Sequence, residues 1–95
     1  MENASDHDPV DVLIIGAGGV AQVVAHKCAQ NNDVLGDLHI ASRTVSKCEA
    51  IIESVHAKGA MKQDGVFKAH AVDGMDSDAV EALINDLGVQ IVINV

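Results

Sequence analysis

Two short clusters carry residue types that can do chemistry. The first, Gly16-Ala17-Gly18-Gly19-Val20-Ala21, fits G-x-G-x-x-[GA]. It follows an aliphatic run and opens an apolar-periodic stretch, the setting in which the pattern binds a dinucleotide. Gly16 permits a tight turn, and Gly18 lets the backbone approach a pyrophosphate. Ala21 is small enough for a helix to pack closely on a strand. A helix starting near Gly19 turns its free N–H groups and positive dipole end toward the phosphates.

The second cluster, Ala41-Ser42-Arg43-Thr44, ends the next apolar run. A site for NAD usually places Asp or Glu there, about 20 residues past the glycines, to hold the ribose 2′-hydroxyl. No carboxylate is present. Ser42 can donate to a 2′-phosphate, Arg43 can make a bidentate contact or stack on adenine, and Thr44 adds a hydroxyl. Five of the six basic residues (Arg43, Lys47, Lys58, Lys62, Lys68) fall within residues 43–68, against Glu49, Glu53 and Asp64, in a chain whose net charge is −8. This positive island favours NADP(H) as cofactor, while Lys47 and Lys58 themselves read as a solvated helix face. The missing carboxylate weighs against FAD-type and many methyltransferase sites. With no Tyr in the chain, a short-chain dehydrogenase is also disfavoured.

Three further positions belong to the same reading. Asp73 follows the third strand, where its side chain can approach the adenine or form a turn. Asn94 and Val95 lie at the carboxyl end of the fourth, where backbone can meet the ribose or nicotinamide. His7, His26, His39, His56 and His70 show no metal-ligand spacing and read as surface or satisfied positions. Cys28 and Cys48 fall on apolar helix faces as buried, inert thiols. No Ser/His/Asp or Cys/His set can be assembled, so the reaction is not encoded in these residues.

The elements that must position these groups alternate. Val12–Ile15 is a continuous aliphatic run suited to a strand covered on both faces. A helix follows with Val20, Val23, Val24 and Cys28 on its apolar face. Asn31–Asp33 and Gly36-Asp37 turn the chain into a second strand over 38–41. The next helix spans about 45–58, with Val45, Cys48, Ile52 and Val55 inward, a capping box of Ser46 and Glu49, and Gly59 as its left-handed cap. A loop over 59–66 leads to a third strand over 67–72. Asp76-Ser77-Asp78 caps a third helix closed by Gly88, and residues 89–95 form a fourth strand. Four strands and three crossover helices predict an α/β, Rossmann-type (partial) parallel sheet of order 3-2-1-4 with helices on both faces. Residues 1–10 read as a flexible tail and 11–95 as the nucleotide-binding domain. The fourth strand would be an exposed apolar edge that invites self-association.

Composition closes off other classes. The 48% apolar and 21% charged fractions are those of a globular chain, not a disordered one. The negative charge and the absence of Trp and Tyr disfavour nucleic acid as partner, and no apolar run approaches a membrane span. Two cysteines are too few for a disulfide scaffold, which makes a reducing cytoplasm the default.

Val12–Gln22, Ile40–Thr44 and Ile91–Val95 together resemble the N-terminus of the saccharopine dehydrogenase family, and the likeness covers about residues 10–95. It implies an NADP-dependent oxidoreductase acting on CH–NH bonds, in which an imine from a diamine and aspartate semialdehyde is reduced by NADPH. It also implies cofactor contacts from Gly16, Gly18, Gly19 and Val20 at the pyrophosphate, Ser42, Arg43 and Thr44 at the 2′-phosphate, Asp73 near the adenine and Val95 near the nicotinamide. Family members carry a substrate and dimerisation domain after this segment, so the chain is expected to be the truncated cofactor half of a homodimeric enzyme, inactive alone. A free-standing nucleotide-binding or regulatory module, or an inactive remnant, is the alternative.

Overall fold

The computed structural model describes residues 9–95. The first eight residues of the expected tail lie outside the described residues, and Val10 already belongs to the first strand. The elements run β1 (Val10–Ile15), α1 (Gly19–Gln30), β2 (Leu35–Ser42), α2 (Val45–Ala57), β3 (Phe67–Ala71), α3 (Ser77–Leu87) and β4 (Ile91–Asn94). All pairings are parallel, in the order β3-β2-β1-β4 that the alternation predicts. Ile15 stands opposite both Ala41 and Asn94, and Ser42 opposite Ala71. The carboxyl ends of all four strands therefore form one crest.

Val12–Ile15 are all buried because β1 is covered on both faces. Val12, Ile14, Leu38, Ile40 and Phe67 pack beneath α1 and α2, while Leu13, Ile15, Ala41 and Val72 pack beneath α3. Fully burying each of the larger aliphatics is worth about 1.5–3 kcal/mol.

Of the expected apolar face of α1, Cys28 is buried and Val24 packs half-buried against the core, but Val20 and Val23 do not turn inward. Ala21, Ala25, Cys28 and Ala29 are buried, whereas Val20 and Val23 are 65% and 60% exposed. Ala21, Ala25 and Ala29 recur at i, i+4 and i+8 with Cys28 at i+7, an equally good helical stripe, and these small side chains let α1 approach β1 closely. In α2 the buried residues are Cys48, Ile51 and Val55, with Ile52 half-buried and Val45 exposed. The capping box of Ser46 and Glu49 does not form: Thr44 is the N-cap, and no side chain caps the helix. Gly36 and Asp37 lie within β2 rather than in the turn, because the Asp11 carboxylate accepts from the Asp37 amide at 2.7 Å and ties the strand start to β1. Gly59 and Gly88 take the left-handed conformations expected of them (φ 62° and 66°), and Asp76 Oδ1 caps α3 by accepting from Ala79 N–H.

Two features have no counterpart in the sequence reading. Asn32 is buried, with its Oδ1 accepting from the Lys62 and Gln63 amides and its Nδ2 donating to the Gln63 carbonyl, which clamps the loop before β3. His39 on β2 is also buried, and its Nδ1 lies 2.9 Å from His70 Nε2 on β3. One proton serves that contact; with both rings charged, two N–H groups would face each other. Burial chiefly, then the neighbouring His70 charge, pushes His39 below the ordinary histidine value, with Lys68 pushing the same way and Asp37 and Asp11 opposing. Burial and Lys68 lower His70 likewise. Since folding favours the neutral rings, their contribution is complete above the unfolded pKa of about 6.5 and is lost as pH falls through the lower folded values. The unfolding midpoint is expected to hold near pH 7–8 and to drop as pH falls below about 6.5, with a shallower drop in His70→Gln. Equal slopes in the two proteins would remove the pair as the cause.

Candidate nucleotide site

The crest is built from strand ends that the core holds rigidly. At the end of β1, Gly16 turns the chain with φ +136°, its N–H donating to the Ala41 carbonyl at 2.8 Å. A Cβ here would lie 2.7 Å from Val95 Cγ2 and 3.1 Å from the Val95 carbonyl oxygen. Gly16 is thus required by the fold. Gly18, the N-cap of α1, differs: its φ of −88° suits any residue, and a Cβ on it, or on Gly19, would meet nothing within 4 Å. No side chain caps α1 at this end, so its first amides remain directed at the open space beside Gly18.

At the end of β2, Ser42 is engaged within its own loop. Its hydroxyl donates to the Thr44 carbonyl at 2.9 Å and accepts from the Thr44 amide at 3.2 Å and the Cys48 thiol at 3.3 Å. Burial pushes the Cys48 thiol up, which keeps the proton for that contact; burial raises Cys28 too, and both cysteines are buried. Arg43 and Thr44 are exposed. A depression of about 250 Å³ is lined by Ala17, Gly18, Ser42, Arg43, Thr44 and Lys47. An adjoining one of about 300 Å³ brings Gly16, Ser42, Arg43, Asp73, Asn94 and Val95 together with Ile15, Gly74 and Met75. Asp73 does form a turn, its Oδ1 accepting from the Met75 amide at 2.9 Å.

Seven of the nine expected residues therefore surround one composite crevice. Gly19 and Val20 do not line it; they occupy the exposed first turn of α1, where Gly19 borders a separate groove of about 340 Å³ along that helix. Lys47 is the residue that sequence reasoning set aside. Its spacing of four from Arg43 across a helix start was the available signal.

These residues suit a phosphorylated dinucleotide. The glycine turn leaves backbone amides accessible, the end of β2 offers cations, and no carboxylate stands where one would reject a 2′-phosphate. The family described as the saccharopine dehydrogenase NADP binding domain matches residues 12–95. The chain belongs to that family. This saccharopine dehydrogenase-type domain is an NADP-binding domain, with NADP(H) as its cofactor. It is 56% identical over 84 residues to carboxynorspermidine synthase of Vibrio alginolyticus, covering 87% of this chain and 20% of that protein. It is 42% identical to carboxyaminopropylagmatine dehydrogenase of Synechocystis, covering 88% of this chain and 19% of that protein. The chain thus spans about a fifth of the length of these relatives. In structure it resembles saccharopine dehydrogenase (L-Glu forming) of Saccharomyces cerevisiae, with a TM-score of 0.65 at 26% identity over 90% of this chain and 16% of that one.

Proposed function

We propose that this domain is the cofactor-binding part of an oxidoreductase acting on CH–NH bonds, and that the substrate is an imine formed between a diamine and aspartate semialdehyde. The supporting observation is the crest itself, in which open backbone at Gly18 adjoins a β2 terminus bearing Arg43 and no carboxylate. The 56% identity to a carboxynorspermidine synthase supports the substrate class. NADPH supplies the hydride. On this reading the α1 amides hold the pyrophosphate, Arg43 pairs with the 2′-phosphate, Asp73 borders the adenine, and Asn94 and Val95 border the nicotinamide end. No group among these residues is placed to activate the substrate, so the remaining machinery comes from elsewhere in the assembled enzyme.

The test is calorimetric titration with NADPH and NADH in parallel. Arg43→Ala should weaken NADPH more than NADH, by roughly 1–3 kcal/mol for a lost charge-assisted contact. Equal losses for the two cofactors would sink the assignment of Arg43.

A further inference from the structure

Lys47 occupies a position that helix electrostatics disfavours. It lies in the first turn of α2, whose N-cap is Thr44, and Arg43 immediately precedes that cap. A helix N-terminus carries partial positive charge and favours Asp or Glu. The first turn of α2 contains no acidic residue, and no side chain caps it. Two cations therefore meet a positive helix end, in a chain whose net charge is −8. Among the described residues neither Arg43 nor Lys47 makes an ion pair, and both are exposed in the same depression as Gly18. Local rules broken without compensation mark functional positions.

The hydroxyl expected to help is otherwise occupied. Ser42 spends its proton on the Thr44 carbonyl and accepts from the Thr44 amide and the Cys48 thiol. A phosphate reaching this loop meets Arg43, Lys47 and the uncapped amides of α2 rather than a free Ser42 donor.

We propose that Lys47 is a specificity-determining residue, the second cation that with Arg43 selects a ribose 2′-phosphomonoester over a free 2′-hydroxyl. The inference rests on the nucleotide reading above and adds to it a residue and a division of labour. Arg43 supplies a planar fork that can pair with two phosphate oxygens, and Lys47 supplies a point charge from the helix side. Ser42 shapes the loop.

The experiment titrates the 95-residue chain and its Lys47→Gln and Lys47→Arg variants with NADPH, NADH, 2′,5′-ADP and 5′-AMP. Lys47→Gln is expected to raise the Kd of NADPH and of 2′,5′-ADP roughly tenfold. NADH and 5′-AMP should change by less than about twofold, and Lys47→Arg should retain most of the preference. Because Lys47 is exposed, circular dichroism of the variants should superpose on the parent. An unchanged NADPH affinity in Lys47→Gln, or an equal loss for all four nucleotides, would overturn the role of Lys47 alone. A parent chain that binds NADPH no better than NADH, or binds neither, would bring down the 2′-phosphate reading and this inference with it.

Discussion

Gly18→Val is expected to abolish binding of NADPH and NADH alike while leaving the unfolding midpoint almost unmoved. The glycine is not needed by the fold: its backbone angles suit any residue, and a Cβ built there has no neighbour within 4 Å. A valine should therefore change stability by no more than roughly 0.5 kcal/mol, as at other exposed positions. A slight gain is even expected, because the unfolded chain loses freedom when glycine is replaced. For a bound pyrophosphate the same side chain is an obstruction, since the ligand must come within contact distance of backbone. Loss of at least a hundredfold in affinity, about 2.7 kcal/mol or more, is the expected scale. Titration and thermal denaturation of one preparation decide the matter. Retained affinity would reduce the loop to a turn, and a collapsed midpoint would show that Gly18 serves packing after all.

Gly16→Ala should show the opposite pattern, a large loss of stability before any question of binding arises. The residue has φ +136°, a region that costs a side chain about 1–3 kcal/mol. Its Cβ would also overlap Val95, and overpacking of that kind costs about 1–3 kcal/mol more. A combined loss of roughly 2–6 kcal/mol is a large part of the 5–15 kcal/mol typical of a domain. Each kcal/mol lowers the midpoint of a domain this size by about 4–8 °C. Adding Val95→Ala should recover part of the loss by removing the Cγ2 contact at 2.7 Å, but not the strain of φ or the 3.1 Å contact with the carbonyl. A midpoint within about 2 °C of the parent in the single variant would refute the argument.

The contrast between these glycines shows where the sequence was informative. Strand order, element sequence and crest were legible because Val12–Ile15, the glycine turn and the capping residues Asp76 and Gly88 each act locally and agree with one another. The inward face of α1 was not. Two interleaved stripes, one of valine and one of alanine, have the same period, and only the closeness of helix to sheet chooses the smaller. Ser42 is a similar case: its type suggests a ligand donor, and only the structure shows its hydroxyl against a backbone two residues on and a thiol six residues on. The His39–His70 contact depends on the register of β2 against β3, which no local pattern encodes. Lys47 looked like any solvated helix lysine, because no local pattern shows that it lines the same depression as Gly18 and Arg43.

β1 is bound on its two sides over very unequal distances along the chain. The Asp11 carboxylate accepts from the Asp37 amide, 26 residues away, while the Asp11 amide donates to Gln90 Oε1, 79 residues away. The first contact closes a short loop and the second a long one, and closing the longer loop costs more chain entropy. The crest inherits this difference. Its Ser42 and Arg43 side can assemble with the local β1-α1-β2 unit, whereas its Val95 side, which completes the Gly16 turn, arrives with β4. On the assignment proposed above, the end that would discriminate between nucleotides is built from contacts closer in sequence than those that complete the end bordering the reactive ring.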